Sequence, residues 1–276
     1  MRDVGVSIKS LLNELYKIKI NRGENMDFRK TFDKIPKSFD KYRPRYCKEL
    51  FQELERICEL NSEKNVLEIG PGTGQATEPI LKIGCNYTAI ELGENFTSLM
   101  KDKYSSYKNF HIVNGDFENY IFEESKYDFV YSAATIQWIP EEIAFTKIFK
   151  MLKPGGYLAM FMTRSDERSA NPSLKDEIDK VYDKFFHVKQ KYNCKMNYEN
   201  VLNYGFDNFK YKEWKKVRKL NADEYVCYIS THCEHITLEE PYKSNFYDGI
   251  RKAIMNVGNE IVITDTMPLY LVQKPL

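Results

Sequence analysis

Short apolar runs and amphipathic segments alternate along the middle of the chain. Each apolar run is followed by Gly, an acidic residue or a small residue, as is typical of strands buried on both faces of a parallel sheet. Between the runs, apolar residues recur at helical spacing. The predicted strands are 64–70, 86–92, 110–116, 127–135 and 157–163, and the predicted helices between them are 75–83, 94–103 and 141–152. This alternation predicts a doubly wound, Rossmann-like α/β unit over about 64–163.

The flanking regions have a different pattern. Residues 1–34 are assigned to an N-terminal extension with a short amphipathic helix at 7–19, and 165–205 to a polar, helical cap insertion. The core with its N-terminal lid is predicted at 35–164, and 206–276 is expected to complete a seven-stranded, mostly parallel sheet. The remaining predicted elements are a helix over 44–60, an edge strand within 203–220, helices at 222–230 and 239–255, and strand material in IVITD and LYLVQK.

Composition and charge exclude several classes of protein. The 276 residues carry 41 basic and 40 acidic side chains, so the net charge is +1, which argues against a nucleic-acid-binding protein. The basic run at 210–219 is interpreted as the protective lysines of an edge strand rather than as an RNA site. Mean hydropathy is −0.55 and no apolar run could span a membrane. No secretory signal is evident and the six cysteines fit no metal-binding spacing, so we expect a cytoplasmic protein without a metal site.

The stretch VLEIGPGTGQAT at 66–77 carries the candidate chemistry. Gly70, Gly72 and Gly74 fall between the first predicted strand and its helix, where backbone passes close to a ligand. A dinucleotide-binding turn has the pattern G-x-G-x-x-G, whereas this sequence has G-x-G-x-G with Glu68 just before it. A carboxylate there is a poor neighbour for a pyrophosphate and a good one for a cation.

Two further acidic residues close the second and third predicted strands. Glu91 is placed to accept hydrogen bonds from ribose hydroxyls, although it could instead cap the helix that follows. Asp116 can accept from an exocyclic amine, with Phe117 beside the ring. Together with the glycines, these residues describe a site for an adenosine that bears a positively charged tail.

These motifs resemble those of the class I S-adenosylmethionine (SAM) dependent methyltransferases. The resemblance rests on VLEIGPGTG, AIEL, NGDF and LKPGGYL and extends over about 35–275. The segments SFDKYRPRYCKELF, SAATIQWIP and THCEHITL further resemble small-molecule enzymes of the type that includes trans-aconitate methyltransferases. By contrast, the Asn-Pro-Pro-Tyr type element typical of adenine-N6 enzymes is replaced by Ser-Ala-Ala-Thr after the fourth strand.

The resemblance implies SAM as the cofactor and assigns a role to each matching residue. Glu68 and the three glycines would line the methionine end, Glu91 and Leu92 would hold the ribose and adenine, and Asp116 and Phe117 would hold the adenine edge. The remaining implied residues are Ser132 and Ala133 on the methionine side, and Tyr42 and Arg43 closing over the cofactor. We further expect residues 30–46, the lid segment, to fold over the SAM site.

The sequence does not identify the methyl acceptor or a catalytic base. Gln137, Trp138 and His232 are expected near a small-molecule acceptor, although Trp138 could equally be a core residue. A carboxylate acceptor needs no base, whereas a hydroxyl or amine does, and then His232 and His235 are candidates. The predicted function is methyl transfer to such an acceptor. The alternatives are a SAM-binding module without turnover and a nicotinamide oxidoreductase.

Overall fold

One twisted sheet organises the chain in the computed structural model, which describes residues 26–167, 169 and 171–276. The helix predicted at 7–19 lies outside the described residues. The strands are β1 (Asn65–Ile69), β2 (Asn86–Glu91), β3 (Phe110–Asn114), β4 (Tyr127–Ala133), β5 (Leu152–Phe161), β6 (Arg164–Asp166), β7 (Asp207–Leu220) and β8 (Ile261–Gln273).

The lateral order of the strands is that of a doubly wound sheet. β1 pairs in parallel with β2 and β4, and the parallel ladder continues to β3 and β5. β8 runs antiparallel between β5 on one side and β7 on the other. β6 pairs with β8 on the same side as β5 does, so it continues the line of β5 after a break at Met162 and Thr163. The predicted α/β class is confirmed, and the eight described strands occupy seven lateral positions.

Two strand boundaries differ from the sequence prediction. β5 begins at Leu152 rather than 157, because the Gly155 N–H donates to the Lys274 carbonyl and the Lys274 N–H donates to the Gly156 carbonyl. β8 is one continuous strand instead of two pieces. Its Pro268 lies between the residues that pair with β6 and those that pair with β5, so the missing N–H breaks no ladder bond on that side.

Helices cover both faces of the sheet. The described α-helices are α1 (Pro36–Tyr42), α2 (Lys48–Cys58), α3 (Thr77–Leu81), α4 (Glu94–Lys103), α5 (Glu141–Met151), α6 (Pro172–Phe185), α7 (Ala222–Ile229), α8 (Cys233–Ile236) and α9 (Tyr242–Asn256). One face of the sheet packs under α2 and α3 in a cluster that includes Leu50 and Ile80, and the other packs under α5 in a cluster that includes Phe145 and Ile148.

A third cluster joins the predicted cap to the last quarter of the chain. Leu174 and Ile178 of α6 pack with Tyr225 of α7, Phe246 of α9 and Ile263 of β8. The chain then runs without regular structure from Phe186 to Asn197 before a 3₁₀ helix at Tyr198–Tyr204. This irregular stretch brings Tyr192 to the carboxyl end of the sheet.

The described residues include no helix that is both long and apolar enough to cross a membrane.

Candidate cofactor and acceptor site

A cavity of about 480 Å³ opens at the carboxyl ends of the parallel strands. This edge of an open α/β sheet is where ligands bind, because the turns that leave the strands diverge there. The volume is typical of sites for small organic molecules. Ile69 of β1, Glu91 of β2 and Ala133 of β4 contribute to its floor, and the lid segment covers it from the other side.

The glycine loop lies against the cavity with no room for a side chain at its first position. Gly70 has φ of +66°, and a Cβ built there would lie 2.8 Å from Cβ of Thr135. The Thr135 hydroxyl donates to the Gly70 carbonyl at 2.9 Å, which joins the loop after β4 to the glycine loop. Only glycine fits this conformation and this approach without strain.

Glu91 is the buried acid of the cavity wall. Its side chain accepts from the N–H of Gly72 at 2.9 Å and from the N–H of Gly93 at 2.8 Å. Burial raises the pKa of this carboxyl to about 7, and the two N–H donors partly oppose the rise. The bond to Gly93 ties Glu91 to the N-cap residue of α4, while its place on the cavity wall leaves the predicted ribose contact possible.

Asp116 and Phe117 line the cavity at the end of β3, as expected for the adenine edge. Asp116 Oδ1 accepts from the Glu118 N–H at 3.0 Å, while Oδ2 lies 3.6 Å from Nη1 of Arg29. Arg29 also pairs with Asp27 at 2.9 Å and Glu118 at 2.7 Å. Three acidic side chains thus share the guanidinium that borders this end of the cavity.

The lid segment is fastened to the first turn of α4. Asp33 accepts from the N–H of Phe96 at 2.8 Å and from the N–H of Asn95 at 3.2 Å. Phe39 packs on Phe96 with ring centroids 5.1 Å apart. A carboxylate at a helix N-terminus satisfies unpaired N–H groups and is stabilised by the helix dipole. These contacts hold the lid segment across the mouth of the cavity.

Arg43 follows α1 and reaches the cavity as a half-buried cation. Its Nη2 donates to the Thr231 carbonyl at 2.8 Å, and its guanidinium carbon lies 5.1 Å from the centroid of the Phe39 ring. Nε has no hydrogen-bond partner, and no ion pair among the described residues includes Arg43. Burial lowers the pKa of this guanidinium, which nevertheless stays charged. An anionic group in the cavity would provide the missing partner.

Three aromatic rings pack on one another at one end of the cavity. Phe32 of the lid segment meets Trp138 edge to face at 5.9 Å, and Trp138 meets Tyr192 at 4.7 Å. Gln137 lies beside them, and its buried Oε1 has no hydrogen-bond partner. Trp138 is therefore a cavity residue, packed between rings from two distant parts of the chain.

The two histidines near this end are held neutral. His232 and His235 both line the cavity. Burial, followed by the nearby charge of Arg43, lowers the pKa of His232 well below its usual value and that of His235 to about 3. His235 Nε2 lies 2.9 Å from the Tyr182 hydroxyl, and its Nδ1 has no partner. Such weakly basic rings are poor general bases.

Four residues expected at the site lie outside the cavity wall. Ser132 Oγ donates to the Ile69 carbonyl beneath the floor at 3.3 Å, and Gly74 faces Met100 of α4. Tyr42, at the end of α1, packs with Lys41. Glu68 is fully buried below α3, where it accepts from the hydroxyls of Thr77 and Tyr87 at 2.5 Å. Burial raises its pKa to about 7.

The expected residues that do line the cavity come mainly from strand ends. They are Arg43, Gly70, Gly72, Glu91, Leu92, Asp116, Phe117, Ala133, Gln137, Trp138 and His232. Sequence reasoning missed several others. The alternation of aromatic and basic residues in FRKTFDKIPKSF could have indicated Phe32 and Phe39. No local signal marked Arg29, Tyr192 or Glu234.

Comparisons with known proteins agree with this geometry. A methyltransferase-domain family (Methyltransf_11) matches residues 67–160. Malonyl-(acyl-carrier protein) O-methyltransferase of Marinomonas sp. strain MWYL1 is 32% identical over 140 residues, 49% of this chain and 51% of that protein. An rRNA adenine N-6-methyltransferase of Limosilactobacillus reuteri is 26% identical over 241 residues, 79% of this chain and 88% of that protein.

A solved structure shows the same fold. Phosphoethanolamine N-methyltransferase 2 of Haemonchus contortus, in complex with phosphomonomethylethanolamine and S-adenosylhomocysteine (SAH), superposes with a TM-score of 0.55 at 17% identity. The match covers 92% of this chain and 61% of that one.

The chain spans only part of its sequence relatives. The matches to three malonyl-(acyl-carrier protein) O-methyltransferases span 51%, 63% and 65% of their lengths.

These matches confirm the predicted methyltransferase domain on an α/β sheet. Residues 67–160 match the methyltransferase-domain family, and the sheet has the fold of the S-adenosylhomocysteine-bound Haemonchus contortus enzyme.

Proposed function

We propose that this chain is a SAM-dependent methyltransferase that acts on a small-molecule acceptor. The observation that carries the proposal is that one cavity is lined both by the buried Glu91 carboxylate and by the half-buried Arg43, whose guanidinium has no carboxylate partner among the described residues. A ligand with hydroxyls at one end and a carboxylate at the other satisfies both groups. SAM has this arrangement.

The cavity residues fit the cofactor from end to end. Asp116 and Phe117 are placed for the adenine, and Glu91 for the ribose hydroxyls. The glycine loop offers backbone without side chains to the methionine portion, and Arg43 offers a charged partner to its carboxylate. When bound, SAM supplies an electrophilic methyl group on a sulfonium.

The chain contributes orientation and exclusion of water. The lid segment, Trp138 and Tyr192 enclose the space beyond the glycine loop, so an acceptor there is held next to the methyl donor. Holding two reactants in line supplies up to about 7–11 kcal/mol of the barrier reduction in favourable cases. No residue of the described chain needs to form a covalent bond with the acceptor.

The enclosed acceptor end favours a small molecule over RNA. A base in RNA must be flipped into such a pocket through an opening that admits its backbone. Here Phe32, Trp138 and Tyr192 close that end by direct ring contacts. From the resemblance to trans-aconitate methyltransferases we infer that the acceptor is small. We do not infer from it that the acceptor carries carboxylates.

Binding of SAM to the ligand-free protein tests the proposal. Because charge-assisted hydrogen bonds contribute about 1.5–3 kcal/mol, Arg43→Gln is expected to weaken SAM and SAH binding by about 10–100-fold in calorimetry. Arg45→Gln is the matched control, since Arg45 is half-exposed and pairs with Asp40 instead. Failure of the folded protein to bind SAM or SAH at millimolar concentration would refute the proposal.

The alternative of a binding module without turnover makes a different prediction for the same protein. Both functions require SAM binding, but only the enzyme forms a methylated product and SAH. Incubation with a broad acceptor panel, followed by mass spectrometry, separates them. One methylated product that disappears in Arg43→Gln would eliminate the binding-module alternative.

The lid segment is expected to respond to the cofactor. Its contacts with the rest of the chain are largely ring packing and a helix cap, and the cavity lies directly beneath it. Hydrogen exchange of backbone amides in 30–46 should therefore slow several-fold when SAH binds. Exchange in α9, which lies away from the cavity, serves as the internal control. Identical exchange of 30–46 with and without SAH would show that it is not a lid.

A further inference from the structure

In the proposed function, each cation that the described residues place on the cavity wall already has a partner, so none is left for an anionic acceptor. Arg29 is paired with Asp27, Asp116 and Glu118. Arg43 is the partner of the cofactor carboxylate in the proposed function. His232 and His235 are neutral for the reasons given above. A carboxylate acceptor would therefore lose its hydration without gaining a counter-ion from the cavity wall.

A negative side chain does face this end. Glu234 lines the cavity from α8, and its Oε1 accepts from the Tyr192 N–H at 2.7 Å. None of the ion pairs among the described residues includes Glu234. The Tyr192 N–H fixes one carboxylate oxygen next to the aromatic wall, while the second oxygen can accept from a ligand.

The surrounding rings suit a cation. The backbone N–H of Tyr192 binds Glu234, and the Tyr192 ring lies 4.7 Å from that of Trp138. Phe32 also packs on Trp138, with ring centroids 5.9 Å apart. Faces of Trp, Tyr and Phe attract an ammonium group through their quadrupoles, and most strongly where water is excluded. A carboxylate beside several rings is the arrangement by which proteins hold amines rather than acids.

We propose, on the basis of the function inferred above, that the acceptor is a primary or secondary amine, held by Glu234 and by the rings of Trp138 and Tyr192. The amine binds as the ammonium and loses one proton to water before reaction. Its nitrogen lone pair then forms a bond to the SAM methyl carbon while the carbon–sulfur bond breaks. The sulfur keeps the electron pair of that bond, and the products are SAH and an N-methylated ammonium, which releases a second proton to water.

Three probes of similar shape and different charge test this assignment. Benzylamine, benzyl alcohol and benzoate are titrated at pH 7.5 into the full chain saturated with SAH, and binding is followed by calorimetry. Benzylamine is expected to bind at least tenfold more tightly than the other two. Glu234→Gln is expected to weaken benzylamine binding by about 10–100-fold and to leave the SAH dissociation constant unchanged. Glu63→Gln, an exposed glutamate before β1, is the matched control and should change neither.

Each result has one meaning. SAH binding by the unmodified protein is measured first, and its absence would refute the proposed function. With SAH bound, benzoate or benzyl alcohol binding as tightly as benzylamine would overturn the amine assignment, as would the absence of benzylamine binding at 10 mM. An unchanged benzylamine dissociation constant in Glu234→Gln would overturn the role of Glu234. Formation of N-methylbenzylamine from SAM, detected by mass spectrometry, would support both.

Discussion

Glu91→Gln is expected to weaken SAM binding by about 10–100-fold at pH 8, where the native carboxyl is ionised. In the ligand-free protein this carboxylate accepts from the N–H groups of Gly72 and Gly93, and it lines the cavity where the ribose would lie. A charged acceptor binds hydroxyl donors more strongly than an amide does, by about 1.5–3 kcal/mol against about 1 kcal/mol. Calorimetric titration with SAM measures the difference.

The raised pKa of Glu91 leads us to expect that SAM affinity depends on pH. Burial raises its pKa to about 7 in the ligand-free protein, so it is mostly protonated at pH 6 and mostly ionised at pH 8. Since the ribose hydroxyls donate to the ionised form, SAM affinity should rise as pH increases through about 7 and then level off. In Glu91→Gln this rise should be reduced. An affinity profile that is identical in both proteins would remove Glu91 from the binding site.

Stability provides the second readout on this variant. A role for Glu91 in ribose binding alone predicts little effect of Glu91→Gln on folding, whereas its hydrogen bonds to two glycine N–H groups predict a loss of stability. An amide can accept from only one of the two glycine N–H groups and presents N–H₂ to the other, which costs roughly 1–3 kcal/mol of unfolding free energy. Thermal denaturation without ligand measures this. Glu94→Gln, an exposed acid in the first turn of α4, is the control for simple loss of charge.

Gly70→Ala is expected to be the most damaging single change in the cofactor site. The substituted residue would have to adopt φ near +66°, and its Cβ would lie 2.8 Å from the Cβ of Thr135. The left-handed conformation costs roughly 1–2 kcal/mol, and displacement of a packed side chain roughly another 1–3 kcal/mol. We expect a clear fall in the unfolding free energy in urea titration and loss of measurable SAM binding, because the loop shifts into the cavity.

Gly258→Ala separates the two causes. Gly258 also has a positive φ, of +106°, but a Cβ there would meet nothing within 4 Å. This variant should lose only the conformational contribution and should bind SAM normally. If both alanine variants lose stability equally and both bind SAM, the close approach of Thr135 to the glycine loop has no role in the site.

Local sequence sufficed to predict that the residues at the strand ends line one cavity. Strand, glycine turn and helix follow one another within 65–81, and the side chains that close each strand are fixed by their position in that unit. Parallel strands place their carboxyl ends at one edge, so Glu91 and Asp116 come close to the glycine loop whatever the rest of the chain does. The predicted bounds of α4 matched the structure for the same reason, since helical spacing is a local property.

Glu68 shows where a motif alone misleads. It was expected at the methionine end because it precedes the glycines. Side chains alternate between the two faces of a strand, and Glu68 shares its face with Val66, which packs in the cluster under α2 and α3. Its carboxyl is therefore buried with Tyr87 rather than presented to the cavity. The strand length before the turn decides this orientation, and the motif does not encode it.

The sequence by itself thus determined the α/β class, the edge of the sheet at which the cavity lies and the acids that line it there. Only the tertiary structure decided how the cavity is closed and what its far end can bind. Phe32, Trp138, Tyr192 and Glu234 come from four separate segments, and their contacts depend on how the lid segment and the cap fold back over the sheet. Such long-range packing is selected by the burial of whole elements, so a local pattern can indicate Trp138 but cannot show which residues of other segments it meets.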